Sequence, residues 1–416
     1  MVESGARAGQ PRLLVLGAGP AQLGLLEAAR RRGLWVAAVD RDPGAPGFPL
    51  ADRRCILSTE DEPSIERLAG ALRVDGVVAP GTDWPVAVAA RIAERLGLPH
   101  PIAPATAVLA TNKLRQRERL AEAGVPQPRS WVVGGAEDPP DPSLPCVVKA
   151  PDRQGQKGLT LVETLDEYGP AIETARSAAR TGAVLVEELV DGPEVTVVGF
   201  SAGGTFVPLV VTDRVVAEPP AFGVALAHVW PGAAAEEAAA VAGAAVAALG
   251  IESGPSYTQL RLAPEGPQVI EVAARLGGGH DAELVEAVTG VPLNDLAIDA
   301  ALGEPLAPPR PEPRVGGAVT RFLVPPPGVL EGVDVPEDLE GIVRVRIYRE
   351  PGYVLTPLRR GADRAGAVLA VGDSREQALE RAERAAAAIR FRTAPPVTES
   401  THSSSRSVSN RGQTRV

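Results

Sequence analysis

Residues 146–158 read Cys146-Val147-Val148-Lys149-Ala150-Pro151-Asp152-Arg153-Gln154-Gly155-Gln156-Lys157-Gly158. A short apolar strand ends on a lysine, and a loop containing Gly155 returns to a second lysine just before Gly158. A strand lysine beside a mobile glycine loop suits phosphate binding. It offers one fixed charge, one charge on a lid, and backbone N–H groups that can approach closely. The usage of lysine elsewhere adds weight. The chain has 416 residues and 42 basic side chains, but Lys113, Lys149 and Lys157 are its only lysines. Lysine is a compact point charge and arginine a planar fork, so the two are not interchangeable at a phosphate. Lys113 stands at the start of a helix earlier in the chain, and a fold-back lets it join the other two.

Working outward, the length predicts two or three domains. A hydrophobic content of 44% and a charged content of 23% are those of a globular protein. The net charge of −10 and the aromatic content of 3% argue against nucleic acid as a partner. No apolar run approaches the ~20 residues of a membrane span. Cys55 and Cys146 cannot make a disulfide framework, which fits a reducing cytoplasm, and no His/Cys spacing supports zinc.

Residues 11–108 alternate strands with helices, which predicts βαβ units and a Rossmann-like domain. Its first turn, Gly17-Ala18-Gly19-Pro20, follows a strand and opens a helix, and Asp40 ends the second strand where a ribose reader would sit. That pair is the whole case for an NAD-dependent oxidoreductase. Gly24 comes two residues too late for the fingerprint, and Pro20 removes an N–H where a pyrophosphate wants one. A tight turn in a scaffold is the competing reading.

Residues 109–304 predict a second domain with a hinge and an acidic strand pair. Glu187-Glu188-Leu189-Val190-Asp191-Gly192-Pro193-Glu194 leaves a strand in a form that can meet an adenine edge, with Glu194 able to accept from ribose hydroxyls. Gln259 and Glu271 lie on adjacent antiparallel strands, positioned to share one Mg²⁺, and Arg275 follows. His228 and His280 are candidates to face a substrate, against the alternative of structural histidines. Residues 305–314 are a Pro-rich linker, and 315–392 predict a small C-terminal α/β domain. Residues 1–10 and 393–416 read as disordered tails.

As an ordered series these motifs resemble the ATP-grasp superfamily, in its carboxylate–amine ligase branch. The series includes Thr111-Asn112-Lys113-Leu114, Cys146 to Lys149, the loop 152–158, Glu187 to Glu194, and Gln259…Glu271…Arg275, over about residues 11–392. The resemblance implies an α/β and α+β architecture: a Rossmann-like N-terminal domain, a nucleotide domain in two subdomains, and the C-terminal α/β domain. It implies ATP with Mg²⁺ (or Mn²⁺), an acyl phosphate made from a small-molecule carboxylate, and an amine that displaces phosphate. Amino acids, bicarbonate and purine intermediates are all open as substrates. It also implies a homodimer.

By the same resemblance, Lys113 and Lys149 hold the α- and β-phosphates, and the Lys157 loop closes over the γ-phosphate. Glu187, Glu188 and Leu189 belong to the adenine hinge and Glu194 to the ribose. Glu271 bridges two Mg²⁺ ions, with Gln259 as a further metal ligand, and Arg275 stabilises the transferring phosphoryl charge and the acyl phosphate. There are two departures. Gln259 stands where Glu is common, and Ala273 stands where the family usually has a metal-binding Asn. Ala273 motivates a rival expectation, a catalytically degraded nucleotide-binding protein.

Overall fold

The structure is a computed structural model and describes residues 9–134 and 142–395. Most of the expected tails, and residues 135–141 before Cys146, lie outside those residues.

The N-terminal domain is a four-stranded parallel sheet. Its strand order is Arg53–Ile56, Trp35–Asp40, Arg12–Leu16, Gly76–Val78. Its two central strands are apolar on both faces, as a sheet covered by helices requires. The helices Leu23–Arg31 and Trp84–Leu96 supply that cover. The Gly17–Pro20 turn closes on itself. Asp40 accepts from the Ala18 N–H at 2.9 Å and the Asp42 N–H at 3.0 Å. Gly17 is left-handed (φ 115°), and a Cβ there would lie 2.8 Å from the buried Gln22 side chain. Both Asp40 oxygens hold the turn, which favours the scaffold reading of Gly17–Pro20.

The second unit is a small antiparallel sheet. Its order is Ser130–Val132, Leu185–Glu188, Cys146–Lys149, Leu159–Val162. The helix Leu165–Ala178 packs on it through Ala171 and Ala175 against Val148 and Val186.

The third unit is an eight-stranded antiparallel sheet. From one edge it runs Gly266–Ala273, Gly254–Ala263, Glu194–Ala202, Thr205–Val216, Ala225–Trp230, Gly317–Leu323, Gly366–Gly372, Ile342–Ile347. One face buries Val195, Val197, Leu260 and Val272 in the same core as the Ala-rich helix Ala235–Ala248 and the N-terminal domain. The other buries Val198, Phe200 and Tyr257 with the helices Asp281–Thr289 and Leu293–Leu302. The C-terminal residues do not build a separate main sheet. Gly317–Leu323 pairs with Ala225–Trp230, so three C-terminal strands extend the central sheet, and the helix Arg375–Ala388 covers them. Only Gly328–Asp334, Val354–Leu355 and Arg390–Ala394 form a small sheet of their own. That last strand runs two residues beyond the expected boundary at 392. Among the described residues no helix is long and apolar enough to cross a membrane.

Candidate active site

A cleft of about 600 Å³ lies where the three units meet. The N-terminal domain contributes Pro20, Ala21 and the loop Gly81-Thr82-Asp83 at the carboxyl ends of its strands. The small sheet contributes Lys149 and Glu187, and the large sheet contributes Gln259, Glu271 and Arg275. Lys113, Lys157, Glu188, Leu189, Glu194 and His228 also line it. Of the candidate phosphate, hinge, metal and substrate residues, His280 alone does not.

Lys113 begins the helix Lys113–Glu122, with Asn112 capping it through the N–H groups of Leu114 and Arg115. Its ammonium lies 2.6 Å from Glu271 Oε1 and donates to the Arg153 carbonyl at 2.9 Å. Burial opposes its charge, but Glu271 and Asp83 outweigh burial and raise its pKa. One turn on, Arg117 points the same way. Arg117 donates to Glu187 Oε1 at 2.8 Å and to the carbonyls of Val269 and Ile270. Lys149 lies 2.5 Å from Glu187 Oε2. Burial alone would raise the Glu187 carboxyl, but Arg117 and Lys149 hold it down at about 2.

Glu187 is thus a buried anchor for Lys149, and its expected place against adenine is corrected. The hinge N–H groups are committed as well: Glu188 N–H donates to the Arg129 carbonyl and Leu189 N–H to the Pro145 carbonyl. Glu194 is held by Arg214 and, at 3.0 Å, by Arg261.

Gln259 and Glu271 are directly opposite in the strand pair. Glu271 is kept charged below the usual carboxylate range. Burial works against that charge, and Lys113 and then Arg275 outweigh it. Gln259 directs its amide nitrogen toward the Tyr257 hydroxyl at 3.4 Å, which leaves its oxygen for a cation. Among the described residues no three His, Cys, Asp or Glu side chains gather into a metal-holding group. Two hard oxygens still fit Mg²⁺, which takes few protein ligands and completes its shell with phosphates and water. Ala273 pairs with Tyr257 across the strands, is 1% exposed, and does not line the cleft, whereas Tyr257 does.

Arg275 donates from Nε to Asp83 Oδ1 at 2.5 Å. Asp83 comes from the N-terminal domain, 192 residues earlier. Burial pushes its carboxyl up even with Arg275 beside it, so the pair depends on the guanidinium staying in place. The loop 152–158 is fastened to the same point, because the Asp83 N–H donates to Gln154.

His228 is buried on the cleft wall, with Nδ1 at 3.3 Å from Asp281 Oδ1. A Cβ at Gly279 would lie 2.9 Å from its Nε2. His280 is corrected to a supporting place. It caps the helix Asp281–Thr289 with φ 61°, bonds the Tyr348 hydroxyl at 2.5 Å and reaches Glu283 at 3.3 Å. Tyr348, not His280, meets the cleft.

Burial, resisted only in part by Asp281, lowers the His228 pKa from 6.5 to about 4. A depressed folded pKa gives stability that is full above the unfolded value and lost as pH falls through the folded one. Stability is therefore expected to fall between pH 6.5 and pH 4 by a few kcal/mol, at ~1.4 kcal/mol per pH unit. Urea unfolding across that window checks this: His228→Gln should flatten the slope, and an unchanged slope would refute it.

Sequence reasoning missed Asp83 as the partner of Arg275, and it missed Arg117, Arg214, Tyr257 and Tyr348. Arg117 had a usable signal in its spacing of four from Lys113. Arg214 had one in the hairpin register that places it beside Glu194.

The comparisons agree with this geometry. The family "Carbamoyl-phosphate synthase L chain, ATP binding domain" matches residues 136–308, and "L-amino acid ligase C-terminal domain 2" matches residues 321–394. An uncharacterized protein, y4rH, of Sinorhizobium fredii is 29% identical over 396 residues, covering 89% of this chain and 80% of that protein. A formate-dependent phosphoribosylglycinamide formyltransferase of Burkholderia cenocepacia is 28% identical over 433 residues, covering 94% and 99%. The crystal structure of the L-amino acid ligase from Bacillus licheniformis superposes with a TM-score of 0.78 at 24% identity, covering 92% of this chain and 99% of that one. The formyltransferase and the ligase are ATP-grasp enzymes that form carbon–nitrogen bonds, and this chain, an enzyme of that kind, is similar to them over 94% and 92% of its length.

Proposed function

We propose that the protein joins a small-molecule carboxylate to an amine, with ATP consumed to ADP and phosphate through an acyl phosphate. The observation that carries this reading is the convergence of Lys113, Lys149, Lys157, Glu271 and the Asp83-held Arg275 on one cleft. In the first step a carboxylate oxygen attacks the γ-phosphorus and ADP leaves. In the second the amine nitrogen attacks the acyl carbon, the C–O bond to phosphate breaks, and the nitrogen loses a proton. Phosphoryl transfer needs positioning and charge neutralisation more than covalent help. Lys113 and Lys149 supply fixed charge for the phosphates and Lys157 supplies charge from the loop. Arg275 faces the transferring group. Glu271 and the Gln259 oxygen are the ligands for Mg²⁺, which when bound neutralises phosphate charge. The buried His228–Asp281 pair faces the acid or the amine. Amino acids are the first acids and amines to test, because residues 321–394 match an L-amino acid ligase domain.

The test is a panel of acids and amines scored by phosphate release. Release should require one acid and one amine together. A folded, ATP-binding protein that releases phosphate with no pair refutes the reading. The homodimer is part of the proposal, and sedimentation should give about twice the 43.0 kDa chain mass.

The position of Ala273 speaks against a degraded site. An Asn there would have to enter a filled space opposite Tyr257 rather than reach the cleft. Overpacking costs ~1–3 kcal/mol. Ala273→Asn is expected to lower the melting temperature without raising turnover, and a large gain in turnover would instead favour degradation.

A further inference from the structure

We propose that a second cavity, behind the glycine loop, binds a phosphate-type oxyanion distinct from the nucleotide's γ-phosphate. This cavity has a volume of about 220 Å³, many times the ~10–15 Å³ that one water needs. It lies between the N-terminal domain and the loop 152–158, and it shares Arg41, Arg153 and Lys157 with the main cleft.

Its cations and carboxylates are equal in number, but three of the carboxylates are turned to partners other than these cations. Four cationic side chains line it: Arg41, Arg153, Lys157 and Arg180. Of the four carboxylates, Asp40 is held by the Ala18 and Asp42 N–H groups, and Asp83 is paired with Arg275. Asp152 accepts from the N–H groups of Arg180 and Thr181. Glu60 is taken by the Arg180 guanidinium at 2.7 Å, and that guanidinium also stacks on Trp84 at 3.8 Å. Arg41, Arg153 and Lys157 are left with no ion-pair partner among the described residues. Burial, then Arg41, Arg153 and Arg360, lower the Lys157 pKa against the opposing pull of Glu60, as expected where like charges crowd.

Two arginine forks and a lysine on one polar cavity suit a tetrahedral dianion, to which charged donors make short, strong hydrogen bonds. Binding of the oxyanion stands on this charge and shape alone. Its use rests on the ligase reading, with two sources for the same chemistry: the phosphate released by the reaction, or a phosphoryl group carried by a substrate.

The test is calorimetric titration of inorganic phosphate into the full chain saturated with Mg²⁺ and a non-hydrolysable ATP analogue, so that the γ-position is filled. The expected result is one phosphate bound per chain, weakened about tenfold or more by Arg41→Gln, with an unchanged melting temperature as the folding control. Lys157→Gln should weaken phosphate and analogue together. No phosphate binding once the analogue is bound, or equal binding by Arg41→Gln, overturns the site. In turnover assays, relief of phosphate inhibition in Arg41→Gln identifies product phosphate. A raised KM confined to phosphorylated substrates identifies a substrate phosphoryl group. If Arg41→Gln changes neither, the proposed use in turnover is overturned, and the titration alone decides the binding.

Discussion

Lys149→Ala is expected to lower turnover by about three orders of magnitude or more, the scale on which charged groups act in phosphoryl transfer. Lys149 is 4% exposed at the end of its strand and points at Glu187, away from bulk water. A cation held there keeps its position through the reaction, so none of its effect is lost to reorganisation. Removing one partner of a buried pair ordinarily costs ~3–5 kcal/mol of stability, because a charge is stranded. Here Arg117 still holds Glu187 at 2.8 Å, so the variant should fold with a smaller loss, and circular dichroism and ATP binding check that. Lys149→Arg sharpens the test. The guanidinium keeps the charge but brings a wider fork into a space already occupied by Arg117. A loss of ~100-fold or more is expected, and near-normal turnover would show that a point charge is not required.

The second large effect is at the contact between domains. Arg275→Lys should cost ~10²–10³ in turnover, because a lysine cannot both pair with Asp83 and donate, as Arg275 does, to the Leu276 carbonyl at 2.9 Å. Asp83→Asn is the informative companion. It keeps the shape but removes the charge that aims Arg275, and it leaves the N–H that holds Gln154. It should lower kcat with a smaller change in the KM for ATP. If Asp83→Asn matches the parent while Arg275→Lys does not, Asp83 only fills space.

These two predictions mark what the sequence could and could not reveal. The lysines, the glycine loop and the facing of Gln259 and Glu271 were legible, because each depends on short-range spacing within a strand, a loop or a hairpin. Arg275 was legible as a residue but not through its partner, since Asp83 reaches it only when two domains close. Glu187 reads as a hinge acid in one dimension, and its role as an anchor appears only when Arg117 arrives from another element. The extension of the central sheet was hidden for a related reason. The joining strand Ala225–Trp230 is six residues long, carries the buried His228, and lies between a glycine and a proline, so its neighbours read as loop. The strand Arg53–Ile56 is largely exposed at a sheet edge and gives no apolar run.

The central claim is that the carboxylate is activated by direct phosphorylation in this cleft. The most direct measurement uses the acid found in the panel, labelled with heavy oxygen in its carboxylate. The released phosphate is then analysed by mass after one turnover with the amine. One heavy oxygen should appear in each phosphate, with ADP and amide formed in equal amounts. Unlabelled phosphate alongside full amide formation would mean that no acyl phosphate forms, and the account given to Arg275 and the three lysines would be wrong.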